Sequence, residues 1–145
     1  DLLEKDFKVQ ADIWSCPSFN ELKRDGDEVS RWNLLHPDKK ARQCHVTQCL
    51  ESTEGPVVAA TDYVKLFADQ IRAYVPRSYA VLGTDGFGRS DSREALRKHF
   101  EVDRFYITVV ALNSLVGEGG ISAKTVKSAL KKYGIDTEKN NPLLA

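Results

Sequence analysis

The sequence predicts an α/β domain on a mainly parallel sheet, and three observations carry that prediction. Short apolar runs of strand length alternate with segments whose apolar residues recur every three or four positions, the pattern that sets parallel strands between helices. The chain has 145 residues, room for one domain with a core and too few for two ordinary ones. Apolar residues make up 41% and charged residues 29%, the profile of a globular chain rather than a disordered one.

The elements follow in order. Residues 2–7 read as the inside of a helix, with nothing upstream of Asp1 to act as its cap. The chain contains no methionine, so Asp1 is not a translation start. Together these predict a piece of a longer polypeptide. "ADIWSC", residues 11–16, has the composition of a buried strand. Pro17 ends it, and Ser18 with Glu21 has the spacing of a capping box for a short helix through Arg24, broken at Asp25-Gly26-Asp27. "SRWNLLHP" holds one helical turn stopped by Pro37, and "ARQCHVTQCLEST" a short helix with Val46 and Leu50 on one face.

Gly55-Pro56 opens a strand over residues 57–61. Asp62 is then the expected cap of a helix whose face carries Val64, Phe67, Ala68, Ile71 and Val75, ended by Pro76. "AVLGT", residues 80–84, is the third strand, followed by a glycine loop and a helix expected to start on Asp91-x-x-Glu94. "DRFYITVVALNSLVGEGG" has strand propensity at residues 106–110. Yet Asp103 is a good cap, Gly117 and Gly119 a good stop, and Phe105, Val109, Leu112 and Val116 fall on one face, so a helix is predicted. Ser122 begins a last helix with Val126, Ala129, Leu130 and Tyr133 inward, and Gly134 stops it.

Charge and cysteine content exclude several functions. Acidic and basic side chains balance at 21 each, leaving no global field for nucleic acid or anionic lipid. No apolar run has the length of a membrane span, and nothing resembles a signal peptide. Cys16, Cys44 and Cys49 form no C-x-x-C pair, so free thiols in a reducing cytoplasm are expected. With His36, His45 and His99 they lack paired zinc-ligand spacing, and each histidine is expected in a structural or surface role.

The glycine loop is the candidate functional feature. Gly83, Gly86 and Gly88 follow a strand and precede a capped helix, the topology in which backbone N–H groups can cradle an anion. The spacing G-x-x-G-x-G is not the dinucleotide fingerprint, and no G-K-[ST] follows. Asp85 and Asp91 would repel a phosphate at its mouth. Phe87, between two glycines, points to a surface that meets another surface. Three readings stay open: a structural or interface loop, an anion site from Gly83 to Ser90, and a catalytic loop. Asp85, Phe87, Gly88, Arg89, Ser90, Asp91 and Arg93 are the interface candidates, the last polar ones suited to charge-assisted bonds across a domain boundary.

At "VLGTDGFGRSDSREALRKHFEVD" the chain resembles the C-terminal domain of the bacterial homodimeric pyruvate dehydrogenases, the thiamine-diphosphate-dependent decarboxylating enzymes related to transketolases. Transketolases usually follow the Phe-Gly with Ser-Ala-Pro; here Ser90-Asp91-Ser92-Arg93 follows, as in the dehydrogenases. "ADIWSCPSFNELKRDG", "SRWNLLHP", "VVAATDYVKLFADQIRAYVP" and "KKYGID" with "NNPLLA" carry the resemblance along essentially the whole chain.

The resemblance implies a three-layer α/β/α, transketolase C-terminal-like domain over residues 1–145, incomplete, with its first strands upstream of residue 1. It implies a parent that oxidatively decarboxylates pyruvate and acetylates lipoyl groups. Thiamine diphosphate, magnesium and the catalytic residues would belong to preceding domains, and no G-D-G…N-N signature occurs here, so no catalytic, cofactor or metal residue is expected in this chain. Its expected role is architectural, and the piece alone is expected to be inactive. The implied partners are the remaining domains of the same polypeptide, a homodimer mate and the lipoyl acyltransferase, with no nucleic acid and no membrane. Two other functions compete: a free-standing anion- or nucleotide-binding module using the glycine loop, and an interaction domain docking an acidic partner through Phe87 and the basic face of Lys124, Lys127 and Lys131.

Overall fold

The computed structural model describes residues 1–144. Two strands, β1 (Val57–Ala60) and β2 (Tyr79–Leu82), pair in parallel with Val57 opposite Tyr79 and Ala60 opposite Leu82. Parallel pairing requires a crossover. It is made by α4 (Lys65–Asp69) and a 3₁₀ turn (Arg72–Tyr74). The remaining helices are α1 (Leu2–Phe7), α2 (Phe19–Leu35), α3 (His45–Glu51), α5 (Arg93–His99), α6 (Arg104–Gly117) and α7 (Ala123–Lys132).

Two clusters form the core. Cys44, Val46, Ile71, Val75 and Tyr79 pack with Phe19 and Leu22 of α2 and with Val57, Ala59 and Val81 of the sheet. Side chains alternate along a strand, so Val58, Ala60, Ala80 and Leu82 turn to the other face, and α6 packs against both strands. The second cluster joins Val109, Leu112 and Ala129 to Leu3 and Phe7 of α1, Val126 and Leu130 of α7, and Tyr133 just after it. Leu112 is fully buried, which stabilises the fold by about 1.5–3 kcal/mol. α1 is also tied on by polar groups: Tyr133 donates to Asp6 at 2.8 Å and Lys132 pairs with it at 2.6 Å. These two bonds hold the Asp6 carboxyl below its usual range.

Several sequence expectations hold. α6 starts at Asp103, whose carboxylate accepts the N–H groups of Phe105 and Tyr106 at 2.9 Å. α7 ends in a Gly134 with φ 61°, its Ile135 N–H reaching back to Leu130 O. α2 ends at Leu35, before Pro37.

Four expectations are corrected. Residues 11–16 are not a strand: residues 11–15 lie exposed, Ile13 at 92%, and no strand among the described residues pairs with them. A strand holds its backbone only against a partner. The helix starting at Ser18 does not break at Asp25-Gly26-Asp27 but runs to Leu35. Gly26 is buried there because a Cβ would stand 2.3 Å from the Tyr74 ring; the glycine permits close packing. Asp62 does not cap α4: its carboxylate pairs with Arg97 at 2.8 Å, and the helix starts later and gives way to the 3₁₀ turn. The cap of α5 is Ser92, whose Oγ accepts from Ala95 N at 3.2 Å, and Asp91 instead accepts from Ser92 N at 2.7 Å.

Candidate functional site

β2 delivers the glycine loop at its C-terminal end, beside the turn that leaves β1. Thr84 N donates to Tyr63 O at 2.9 Å, and Thr84 Oγ1 to Asp62 O at 3.2 Å. A Cβ on Gly83 would meet Tyr63 O at 2.6 Å and Lys65 N at 2.7 Å, so this glycine lets two backbones touch. Asp85, half-buried, accepts from Lys65 N at 3.1 Å. It is thus the cap of α4, a helix with no side-chain cap of its own. Asp25 does the same for α3, accepting from His45 N at 2.7 Å.

The rest of the loop is exposed from Gly86 to Glu94. Phe87 is 78% exposed. Gly88 faces open space. Arg89 Nη1 stands 3.3 Å from His99 Nδ1. Ser90 is exposed, and Arg93 opens α5 with its side chain in solvent. Partial burial, then the charges of Arg89 and Lys139, holds the His99 imidazole below its usual range, against the opposing pull of Glu101.

Amides flanking the loop are engaged within the chain. Ser92 N is taken by Asp91, Ala95 N by Ser92 and Lys65 N by Asp85, each by a group of the chain itself. Among the described residues no group of three or more His, Cys, Asp or Glu comes together. Cys49 Sγ lies 3.4 Å from His45 Nε2, Cys44 Sγ bonds to Thr47 Oγ1 at 3.2 Å, and all three thiols are free. His36 stacks on Trp32 at 4.4 Å, with Arg42 on that ring at 3.7 Å, a structural clasp for the loop before α3.

What sequence reasoning missed is the C-terminal tail. Pro142 is buried against the loop, its carbonyl 2.5 Å from where a Cβ of Gly86 would stand. Gly86 has φ 116°, so it is doubly unable to carry a side chain. Lys139 fastens the tail: its ammonium donates to Lys98 O at 3.2 Å, His99 O at 2.6 Å and Glu101 Oε1 at 3.2 Å. A cation there is favoured by the carbonyls ending α5. Loop, tail and turn enclose a cleft of about 300 Å³ lined by Lys65, Gly83, Asp85, Glu101 and Lys139.

The profile of the transketolase-like TK C-terminal domain matches residues 1–103. The chain belongs to the transketolase-like C-terminal domain family. Within that family it is similar to proteins named "Pyruvate dehydrogenase E1 component". It is 57% identical to that of Cupriavidus necator over 99% of this chain, and 58% identical to that of Pseudomonas aeruginosa over 98%. The Escherichia coli K12 protein is 52% identical over the whole chain. In each case the chain spans 16% of the relative's length. The similarity to these relatives therefore extends through α6, α7 and the tail, beyond the part matched by the transketolase-like C-terminal domain profile. No described helix is long and apolar enough to cross a membrane.

Proposed function

We propose that this chain is an architectural, non-catalytic domain of a pyruvate dehydrogenase E1 polypeptide. One observation carries the reading: identity of 52–58% over 98–100% of the chain with proteins of that name, each about six times longer. The geometry supports it. Asp85 of the glycine loop is spent on the start of α4, and Ser92 on the start of α5, which are structural roles.

On this reading the parent is an oxidoreductase that decarboxylates pyruvate and passes the acetyl group to lipoyl groups of its acyltransferase partner. Thiamine diphosphate supplies the electron sink for decarboxylation, and it is held with magnesium by other parts of the polypeptide. The domain packs against those parts and contributes to a homodimer in the cytoplasm. Asp85, Phe87, Gly88, Arg89, Ser90, Asp91 and Arg93 belong to the packing surface. Residues 11–15, exposed and carrying Ile13 and Trp14, add to that packing surface.

The test is a chimera. A full-length pyruvate dehydrogenase E1 whose matching part is replaced by this chain should assemble and consume pyruvate at a rate near the parent's. A chimera that folds yet neither assembles nor turns over would overturn the reading.

A further inference from the structure

On the domain reading above, other parts of the polypeptide pack on the surface of this chain. Among the described residues, eleven large apolar side chains are exposed, and seven of them lie on three segments that meet at the C-terminal end of the strands. These are Tyr63, Val64, Leu66 and Phe67 of the β1–α4 turn and α4, Phe87 of the glycine loop, and Leu143 and Leu144 of the tail. The segments are bound to one another. The loop joins the turn through Thr84–Tyr63 and Asp85–Lys65. The tail joins the loop where Leu143 Cα comes within 3.4 Å of the Cβ position of Gly86. Apolar patches above roughly a few hundred Å² on a folded protein mark sites that are covered in use.

The tail is held there at a cost. Glu101 occupies the left-handed position of the turn ending α5, with φ 62° and Val102 N bonded to Arg97 O at 2.9 Å. Glycine is the usual residue in that position. Glu101 carries instead the carboxylate that receives Lys139.

We propose that residues 139–144 form a strap, clasped by Lys139 on Glu101 and the end of α5. It sets Leu143 against Gly86, the residue before Phe87, with Leu144 next in the chain, and so completes a docking face. The occupant is another part of the same E1 polypeptide. The chain makes up 16% of such proteins, so most of their length lies outside it and is available to cover this face. Phe87 is the anchor and the two leucines its flank, the arrangement of a buried aromatic surrounded by smaller apolar contacts.

The experiment compares L143D/L144D with the unaltered sequence, in the isolated chain and in the chimeric E1. In the assembled chimera the double variant should lower the melting temperature by about 5 °C or more. It should also speed tryptic cleavage after Arg89 by about tenfold as the face opens. Lys139→Met should act in the same direction. In the isolated chain, where Leu144 is 82% and Leu143 55% exposed, L143D/L144D should lower the melting temperature by less than half as much. An unaltered melting temperature and cleavage rate in the chimera would overturn the proposal. So would an equal loss in the isolated chain, which would make the leucines part of the domain's own core. Concentration-dependent dimerisation of the isolated chain, abolished by Phe87→Asp and absent from the chimera's response, would assign the face to a second copy instead. If the chimera with the unaltered sequence fails to assemble, the domain reading itself falls, and this inference with it.

Discussion

Substituting Gly26 by alanine tests whether this residue is a helix breaker or a packing device. Gly26 lies inside α2, and a Cβ there would stand 2.3–2.6 Å from three atoms of the Tyr74 ring. The ring cannot retreat freely. Its hydroxyl donates to Asp27, and the Tyr74 carbonyl accepts from Thr47 Oγ1 at 2.8 Å. Forcing a methyl into such a contact costs about 1–3 kcal/mol, and the pinned ring argues for the upper part of that range. Alanine returns about 1 kcal/mol of helix propensity. The net expectation is a loss of about 1–2 kcal/mol, which at a urea slope of about 2 kcal/mol/M lowers the midpoint by about 0.5–1 M. The decisive comparison is made in a Tyr74→Ala background. With the ring gone, only the propensity term remains, and G26A should raise the midpoint by about 0.5 M. A sign change between backgrounds is therefore predicted. If G26A raises the midpoint with Tyr74 present, or lowers it equally without Tyr74, the packing argument is wrong.

Two further outcomes follow from the same geometry. Asp85→Ala should cost about 1 kcal/mol and selectively speed hydrogen exchange at the Lys65 amide; unchanged exchange there would show that the carboxylate does not cap α4. Tyr79 donates to Ala68 O at 2.7 Å, and burial, followed by the charges of Asp69 and Cys16, pushes its hydroxyl up to about 12. The unfolded tyrosine ionises near 10, so the unfolded chain loses its proton first, and stability falls as pH rises from about 10 toward 12. Tyr79→Phe should flatten that alkaline decline, measured by urea midpoints across pH, while costing about 1–3 kcal/mol at neutral pH by stranding the carbonyl.

How much of this was legible in the sequence depended on whether the deciding partner was near in sequence. The helix at Arg104–Gly117 was readable against its β-branched run because both its cap, Asp103, and its stop are local. The strands expected at residues 57–61 and 80–84 lie at 57–60 and 79–82, readable to within two residues because each is a short apolar run bounded by turn residues. Where the partner is remote, the reading failed. Gly26 looks like a breaker unless Tyr74, far along the chain, is known to lie over it. Asp25 and Asp85 carry no local sign that each caps a helix twenty residues away. "ADIWSC" has strand composition, but a strand also needs a neighbour, and composition says nothing about that. At the candidate site, the loop and its exposed Phe87 were anticipated from the three glycines. The tail that braces it was not, because a lysine followed by "NNPLLA" has no periodicity and no motif. The signal lay in pairing two oddities: a glutamate where α5 should end on glycine, and a lysine in an otherwise uncharged tail.

The central claim, that this domain supports chemistry carried out elsewhere, is tested most directly by calorimetric titration of the isolated chain with thiamine diphosphate and magnesium, followed by assay of pyruvate consumption. No saturable heat and no turnover are predicted. Stoichiometric coenzyme binding, or decarboxylation of any 2-oxo acid by these residues alone, would contradict the account.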